Sequence, residues 1–177
     1  MMGKEIERKW MLASAGAVPS FVYDHPSHEI VQGYLCIDPV VRVRRDADEY
    51  YLTYKGRGAV EREEYNLPLT GEACERLLAK CDGIIIRKTR YYVPLDECAE
   101  ASGRNAASAE SRSTAGRDAA YMAEVDIFSG YYEGRVYVEV EFETAEAAAA
   151  FVAPAWFGEE VTGLPGFSNA ALAFGGA

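Results

Sequence analysis

The sequence predicts an α+β protein built on an antiparallel sheet, one face of which is ionised from strand to strand. Three observations predict it. Charged and apolar residues alternate at period two through seven separate stretches, the pattern of strands with one apolar and one polar face. Gly, Pro and Asp punctuate these stretches at hairpin spacing. Only a few short segments carry helical spacing, and two of them follow a Thr or Ser able to cap them.

The bulk numbers narrow the function. A length of 177 residues, 49% of them hydrophobic, suits one domain over 1–177 with a real core. A net charge of −10 argues against nucleic acid, whose binding needs a basic surface, and against a polybasic membrane patch. The first ten residues alternate charge with apolar residues and show no leader core. No apolar run approaches the roughly 20 residues of a membrane helix. Cys36, Cys74, Cys81 and Cys98 form no CxxC pair, so neither a zinc site nor a disulfide framework is expected. A reducing, cytoplasmic setting is the simplest expectation.

Along the chain, residues 4–11 alternate as a strand, and 14–28 read as a loop or short helix. Residues 29–37 and 40–46 form a strand pair broken at Asp38-Pro39. Residues 49–55 and 60–67 form a hairpin turned at Gly56-Arg57-Gly58. Thr70 caps a helix over 71–81, with Cys74 and Cys81 on its buried face. Strands follow at 84–95, 121–128 and 135–143. An Ala-rich helix covers 145–157, and Ser168 caps a last one over 169–174. The stretch 98–120 lacks aliphatic and aromatic residues. It cannot offset its ordering entropy by burial, and reads as a mobile hairpin loop.

The strand faces carry the functional signal. Glu5, Glu7 and Lys9 share one face. So do Arg42 with Arg44, Thr53 with Lys55, and Arg62 with Glu64 and Asn66. Lys88 with Arg90, Glu124 with Asp126, and Glu139 with Glu141 and Glu143 complete the set. A solvent-facing strand usually mixes Thr, Ser, Gln and Lys, whereas this face is almost wholly ionised. A sheet curling into a barrel would turn it inward. Buried charges persist only when paired, metal-bound or ligand-bound. Clustered Arg and Lys suit phosphate oxygens, and clustered carboxylates suit Mg²⁺ or Mn²⁺. Together they describe a metal-bound oligophosphate. His25 and His28 read as surface loop residues, and Tyr34, Tyr51, Tyr54, Tyr91 and Tyr92 as strand packing.

At this point the chain resembles the CYTH superfamily, the triphosphate tunnel metalloenzymes. The E-x-E-x-K signature is Glu5 to Lys9. QGYL at 32–35, R-x-R at Arg42 and Arg44, TYKG at 53–56 and R-x-E at Arg62 and Glu64 follow. K-x-R-Y at 88–91, E-V-D-x-F at 124–128, E-V-E at 139–141, EVTG at 160–163 and Ser168-Asn169 complete the order. Phe167 stands where the family commonly has Tyr, 98–120 is longer than usual, and either Glu63 or Glu64 is the inward acid.

The resemblance implies an eight-stranded antiparallel β tunnel, a closed barrel with helices packed outside. It implies divalent-metal-dependent hydrolysis of a triphosphate, inorganic tripolyphosphate first. A class IV-type adenylate cyclase, a nucleoside or thiamine triphosphatase, and a non-catalytic polyphosphate binder are the alternatives. Glu5, Glu7, Glu139 and Glu141 would hold the metal, with Asp126 and Glu124 orienting bases or holding a second ion. Lys9, Arg42, Arg44, Lys55, Arg62, Lys88 and Arg90 would hold the phosphates. Glu5, Glu7, Lys9 and Glu64 would carry the chemistry. The partner implied is a small triphosphate, with no nucleic acid or membrane, in a monomer or homodimer.

Overall fold

A computed structural model of the chain describes residues 6–56, 64–95 and 121–175, with Glu64 through its backbone alone. The expectations for Glu5, Arg62, Glu63, the turn at 57–58, Cys98 and the whole of 98–120 concern residues outside that set.

The strands are β1 (Ile6–Leu12), β2 (Ser27–Ile37), β3 (Val40–Asp46), β4 (Glu49–Lys55), β5 (Glu64–Pro68), β6 (Asp82–Pro94), β7 (Met122–Ser129), β8 (Val136–Phe142) and β9 (Glu159–Glu160). Among the described residues three α-helices accompany them: α1 (Gly71–Leu78), α2 (Ala145–Ala150) and α3 (Asn169–Ala173). All nine strands form one sheet in the order β5-β4-β3-β2-β6-β7-β8-β1-β9, and every pairing is antiparallel.

The expected closed barrel of eight strands is therefore corrected. Among the described residues there are nine strands, and their hydrogen-bonded ladder ends at β5 and β9. The reason lies in the outer edge of β1. Trp10 and Met11 pair with Glu160 and Glu159. Val161 donates its N–H to the Lys9 carbonyl at 2.8 Å, and Lys9 N–H donates to Thr162 Oγ1 at 3.0 Å. The segment 159–162 thus occupies the edge that β5 would need for closure. β5 itself ends in Pro68, which has no N–H to give to a ladder.

The main core lies on the outer face of β1, β7 and β8. Val93, Ala123, Val125, Val136, Val138 and Val140 are all fully buried there, at the positions that alternate with the charged ones. Trp10 packs edge-on against Phe157, ring centroids 4.9 Å apart, and Ile6 packs against the same cluster. A smaller core of Tyr34, Ile86, Phe128 and Tyr137 fills one end of the inner face, covered by Leu172 and Ala173 of α3.

The helices are shorter than their sequence patterns. Thr70 Oγ1 accepts the Ala73 N–H at 3.2 Å and opens α1, which ends at Leu78 rather than 81. Cys74 is buried, but Cys81 lies beyond the helix and is half-buried. α2 stops at Ala150 rather than 157 because Phe151 turns extended (φ −67°, ψ 127°) and Pro154 follows. Arg8 Nη1 donates to the carbonyls of Ala148 and Phe151 at 2.8 and 2.9 Å, satisfying that end. Ser168 Oγ accepts from Ala171 and opens α3.

Candidate functional site

The inner face curls round a cavity of about 1000 Å³. One flank supplies Glu7 and Lys9 from β1, Glu139 and Glu141 from β8, Glu124 from β7 and Arg90 from β6. The other supplies Arg42 and Arg44 from β3, Tyr51 and Lys55 from β4, and Asn66 from β5. Ser168 and Asn169 at the start of α3 complete the lining. Each side chain is placed by strand parity, and its neighbours by register. Glu7 lies opposite Glu141 and Lys9 opposite Glu139; Glu139 in turn lies opposite Glu124, and Arg90 opposite Asp126.

The acidic flank is a dense ion network. Arg90 donates from Nε and Nη2 to the two Asp126 oxygens at 2.7 Å, from Nη2 to Glu139 at 2.7 Å, and from Nη1 to Glu124. Lys9 Nζ lies 2.8 Å from Glu139 and 3.9 Å from Glu7. Lys88 donates to Asp126. Burial alone would raise the carboxyl pKa values of Asp126 and Glu139. Arg90 with Lys88, joined at Glu139 by Lys9, outweighs it, and both sit below the usual carboxylate range. Glu124 is different. Burial, helped by the neighbouring acids and opposed by Arg90, raises it to about 6. Burial and Arg90 together bring Lys88 down to about 8 against the pull of Asp126.

The basic flank is aimed by neutral groups. Arg44 Nε donates to Gln32 Oε1 at 3.0 Å and its Nη1 to the Tyr51 hydroxyl at 3.2 Å. Arg42 Nη2 donates to Thr53 Oγ1 at 3.1 Å, and that hydroxyl donates to Asn66 Oδ1 at 2.7 Å.

Among the residues expected to form the site, the structure brings Glu7, Lys9, Arg42, Arg44, Lys55, Arg90, Glu139 and Glu141 to the cavity. Lys88 and Asp126 lie on the inward face but beneath it, with side-chain exposures of 0% and 1%. Asp126 holds both Lys88 and Arg90 there instead of opening onto the cavity. Gln32, Tyr34, Tyr51, Asn66 and Asn169 had no site role in the sequence reading. Tyr51 shares the parity of Thr53 and Lys55, a signal that was present, while the contact of Gln32 with Arg44 depends on the β2–β3 register.

A divalent cation needs hard oxygen donors. Among the described residues no group of three or more His, Cys, Asp or Glu is arranged as a metal centre. The donor chemistry nonetheless fits. Glu7 and Glu141 stand directly opposite one another on the cavity wall and present two carboxylates, the hard oxygen donors such an ion takes. Glu139 is already engaged by Lys9 and Arg90.

No family model matches the chain. It is 32% identical over 174 residues to an inorganic triphosphatase of Nitrosomonas europaea, covering 96% of each chain. It is also 32% identical over 177 residues to an inorganic triphosphatase of Acetivibrio thermocellus, covering 97% of this chain and 94% of that one. The fold matches a crystal structure of an inorganic triphosphatase at a TM-score of 0.66 and 31% identity, over 97% of this chain and 95% of that one. A Hippeastrum protein, described as a putative adenylyl cyclase with a dominant triphosphatase activity, shares the fold at a TM-score of 0.53 and 13% identity, over 82% of this chain and 83% of that one.

Proposed function

Because the chain belongs to the inorganic triphosphatases of the CYTH superfamily, we propose that it hydrolyses inorganic tripolyphosphate to pyrophosphate and phosphate in its charged cavity. The observation that carries this reading is the two-flank arrangement. Arg42, Arg44 and Lys55 line one side and Glu7, Glu139 and Glu141 the other side of the same 1000 Å³ space. An extended polyanion with a metal counterion matches both flanks at once.

Arg42 and Arg44 present forked donors to phosphate oxygens, while Lys55 and Lys9 add point charges. Arg90, locked by Asp126, Glu124 and Glu139, is a fixed part of the wall that needs no reorganisation during reaction. Asp126 serves by holding Arg90 in place, itself held from the other side by Lys88. Bound at Glu7 and Glu141, with Glu5 two residues before Glu7 in the sequence, Mg²⁺ or Mn²⁺ would supply charge against the phosphate oxygens. Arg42, Arg44, Lys55 and Lys9 would fix the chain of phosphates with its terminal phosphorus open to in-line attack by water. The new bond forms from water oxygen to the terminal phosphorus. The bond to the bridging oxygen breaks, and pyrophosphate leaves with that electron pair. Glu64, opposite Lys55 in the β4–β5 ladder, is the acid proposed to orient the water, and Arg62 a further phosphate donor. The free thiols of Cys36, Cys74 and Cys81 support a reducing, cytoplasmic setting. Among the described residues no helix is long and apolar enough to cross a membrane.

The test is a panel of tripolyphosphate, ATP and thiamine triphosphate, each with Mg²⁺ or Mn²⁺. Phosphate release fastest from tripolyphosphate is expected. Cyclic AMP and pyrophosphate from ATP would move the assignment to a cyclase, and saturable binding without turnover to a binding module.

A further inference from the structure

The QGY of residues 32–34 lies on β2 beside the R-x-R of β3, in a register that pairs Gln32 with Arg44 and Tyr34 with Arg42. Gln32 is wholly buried and Tyr34 is 3% exposed. An arginine can only donate, so the amide atom facing Arg44 Nε is the Gln32 carbonyl oxygen. The Gln32 Nε2 then points the other way and donates to the Tyr34 hydroxyl at 3.3 Å. The Arg42 guanidinium, opposite Tyr34 in the ladder, also bears on this phenol and opposes the rise that burial gives its pKa. The result is a neutral relay from Arg44 through Gln32 to Tyr34, which stands across the ladder from Arg42. Gly33, between them, faces the opposite side of the sheet. A Cβ there would lie 2.7 Å from both Cys81 Sγ and Ile85 Cδ1.

From this geometry we infer that Gln32 and Tyr34 are positioning residues for phosphate binding, a buried neutral brace behind the R-x-R pair in which Gln32 holds Arg44 by a hydrogen bond and Tyr34 backs Arg42 across the ladder. The inference rests on the reading of Arg42 and Arg44 as phosphate ligands. A neutral brace suits this task better than a carboxylate. It takes the Nε of Arg44 without cancelling the charge needed by the substrate, in contrast to Arg90, which is surrounded by acids. It also removes the rotamer freedom of two long side chains before the substrate arrives, so that ordering is not charged against binding. Gly33 lets β2 lie close enough to the end of α1 and the start of β6 for this register to hold.

The experiment is a pair of double-mutant cycles read by steady-state hydrolysis of tripolyphosphate and by thermal unfolding. Gln32→Leu removes the amide at similar volume. It should raise KM about tenfold, as expected for one hydrogen bond to a charged group, with a smaller change in kcat. On an Arg44→Ala background it should add nothing, because its effect passes through Arg44. Tyr34→Phe crossed with Arg42→Ala should behave alike, and its conservative change keeps the test open if Gln32→Leu folds poorly. Additive losses, or a lowered unfolding temperature with unchanged KM, would reduce both residues to packing and overturn the inference. Normal KM in Arg44→Ala and Arg42→Ala would remove the phosphate assignment, and the brace with it. Impaired arginine variants beside a normal Gln32→Leu and Tyr34→Phe would remove the brace alone.

Discussion

Asp126 is a buried acid held by two bases, and its protonation couples the network to pH. Its pKa and that of Glu139 are depressed in the folded state. Their contribution to stability is therefore complete above their unfolded values, 3.8 and 4.5, and is lost as pH falls through the lower folded values. Glu124 acts in the opposite sense. Its value of about 6 exceeds the unfolded 4.5, so the folded state holds the proton between them and stability falls as pH rises through that window. Denaturant unfolding across pH 3–7 should show an acid limb for the wild type. Asp126→Asn should flatten that limb and cost about 3 kcal/mol at pH 7, because Lys88 and Arg90 lose a buried counterion. An unchanged acid limb in Asp126→Asn would place the titrating groups elsewhere. Glu7→Gln or Glu141→Gln should instead abolish turnover at limiting metal while leaving the unfolding temperature near that of the wild type. Near-normal activity in both would remove them as metal ligands.

At the scale of elements, period-two alternation made the strands legible. A strand with one charged and one apolar face has no other stable arrangement, and Val136, Val138 and Val140 went to the core as their spacing required. What escaped the sequence depends on partners distant in the chain. β9 holds only two residues, too few to show a period, yet it takes the edge of β1. Lys88 has the same parity as Arg90, but parity cannot say which of two inward residues is covered by Asp126. The tyrosines read as packing divide likewise: Tyr51 faces the cavity while Tyr91 packs against the main core. α3 is short, and its seat depends on Gly83, whose φ is +74° and whose added Cβ would lie 2.1 Å from the Ala173 carbonyl oxygen. Gly83→Ala should therefore dislodge α3, lowering stability by roughly 2 kcal/mol or more. Activity should fall with it, since Ser168 and Asn169 leave the cavity wall. Wild-type unfolding and turnover in that variant would show that α3 docks independently of Gly83.

At the scale of the whole molecule, the sheet wraps a cavity without closing its ladder, so its two flanks meet across the ligand space. β5 is an edge strand with Tyr65 and Leu67 60% and 58% exposed, and among the described strands it pairs with β4 alone. Lys55 and Asn66 lie on this flank, and Lys9, Glu7 and Glu141 on the opposite one. A tripolyphosphate long enough to touch both would fasten β4–β5 to β1–β8 where no backbone bond does. Ligand at a hundredfold excess over its dissociation constant should raise global stability by about 2.7 kcal/mol. If the ligand also bridges the flanks, amide exchange in β5 should slow by more than this global term predicts for the core strands, because local opening of the edge is suppressed as well. Arg90→Ala should lose much of the global shift, since it removes cavity charge on the acidic flank. Lys55→Ala should lose the added protection of β5 selectively, since it cuts the ligand's hold on that flank. Uniform slowing across all strands, with no surplus in β5, would place the bound anion on one flank only, and the open edge would then play no part in gripping it.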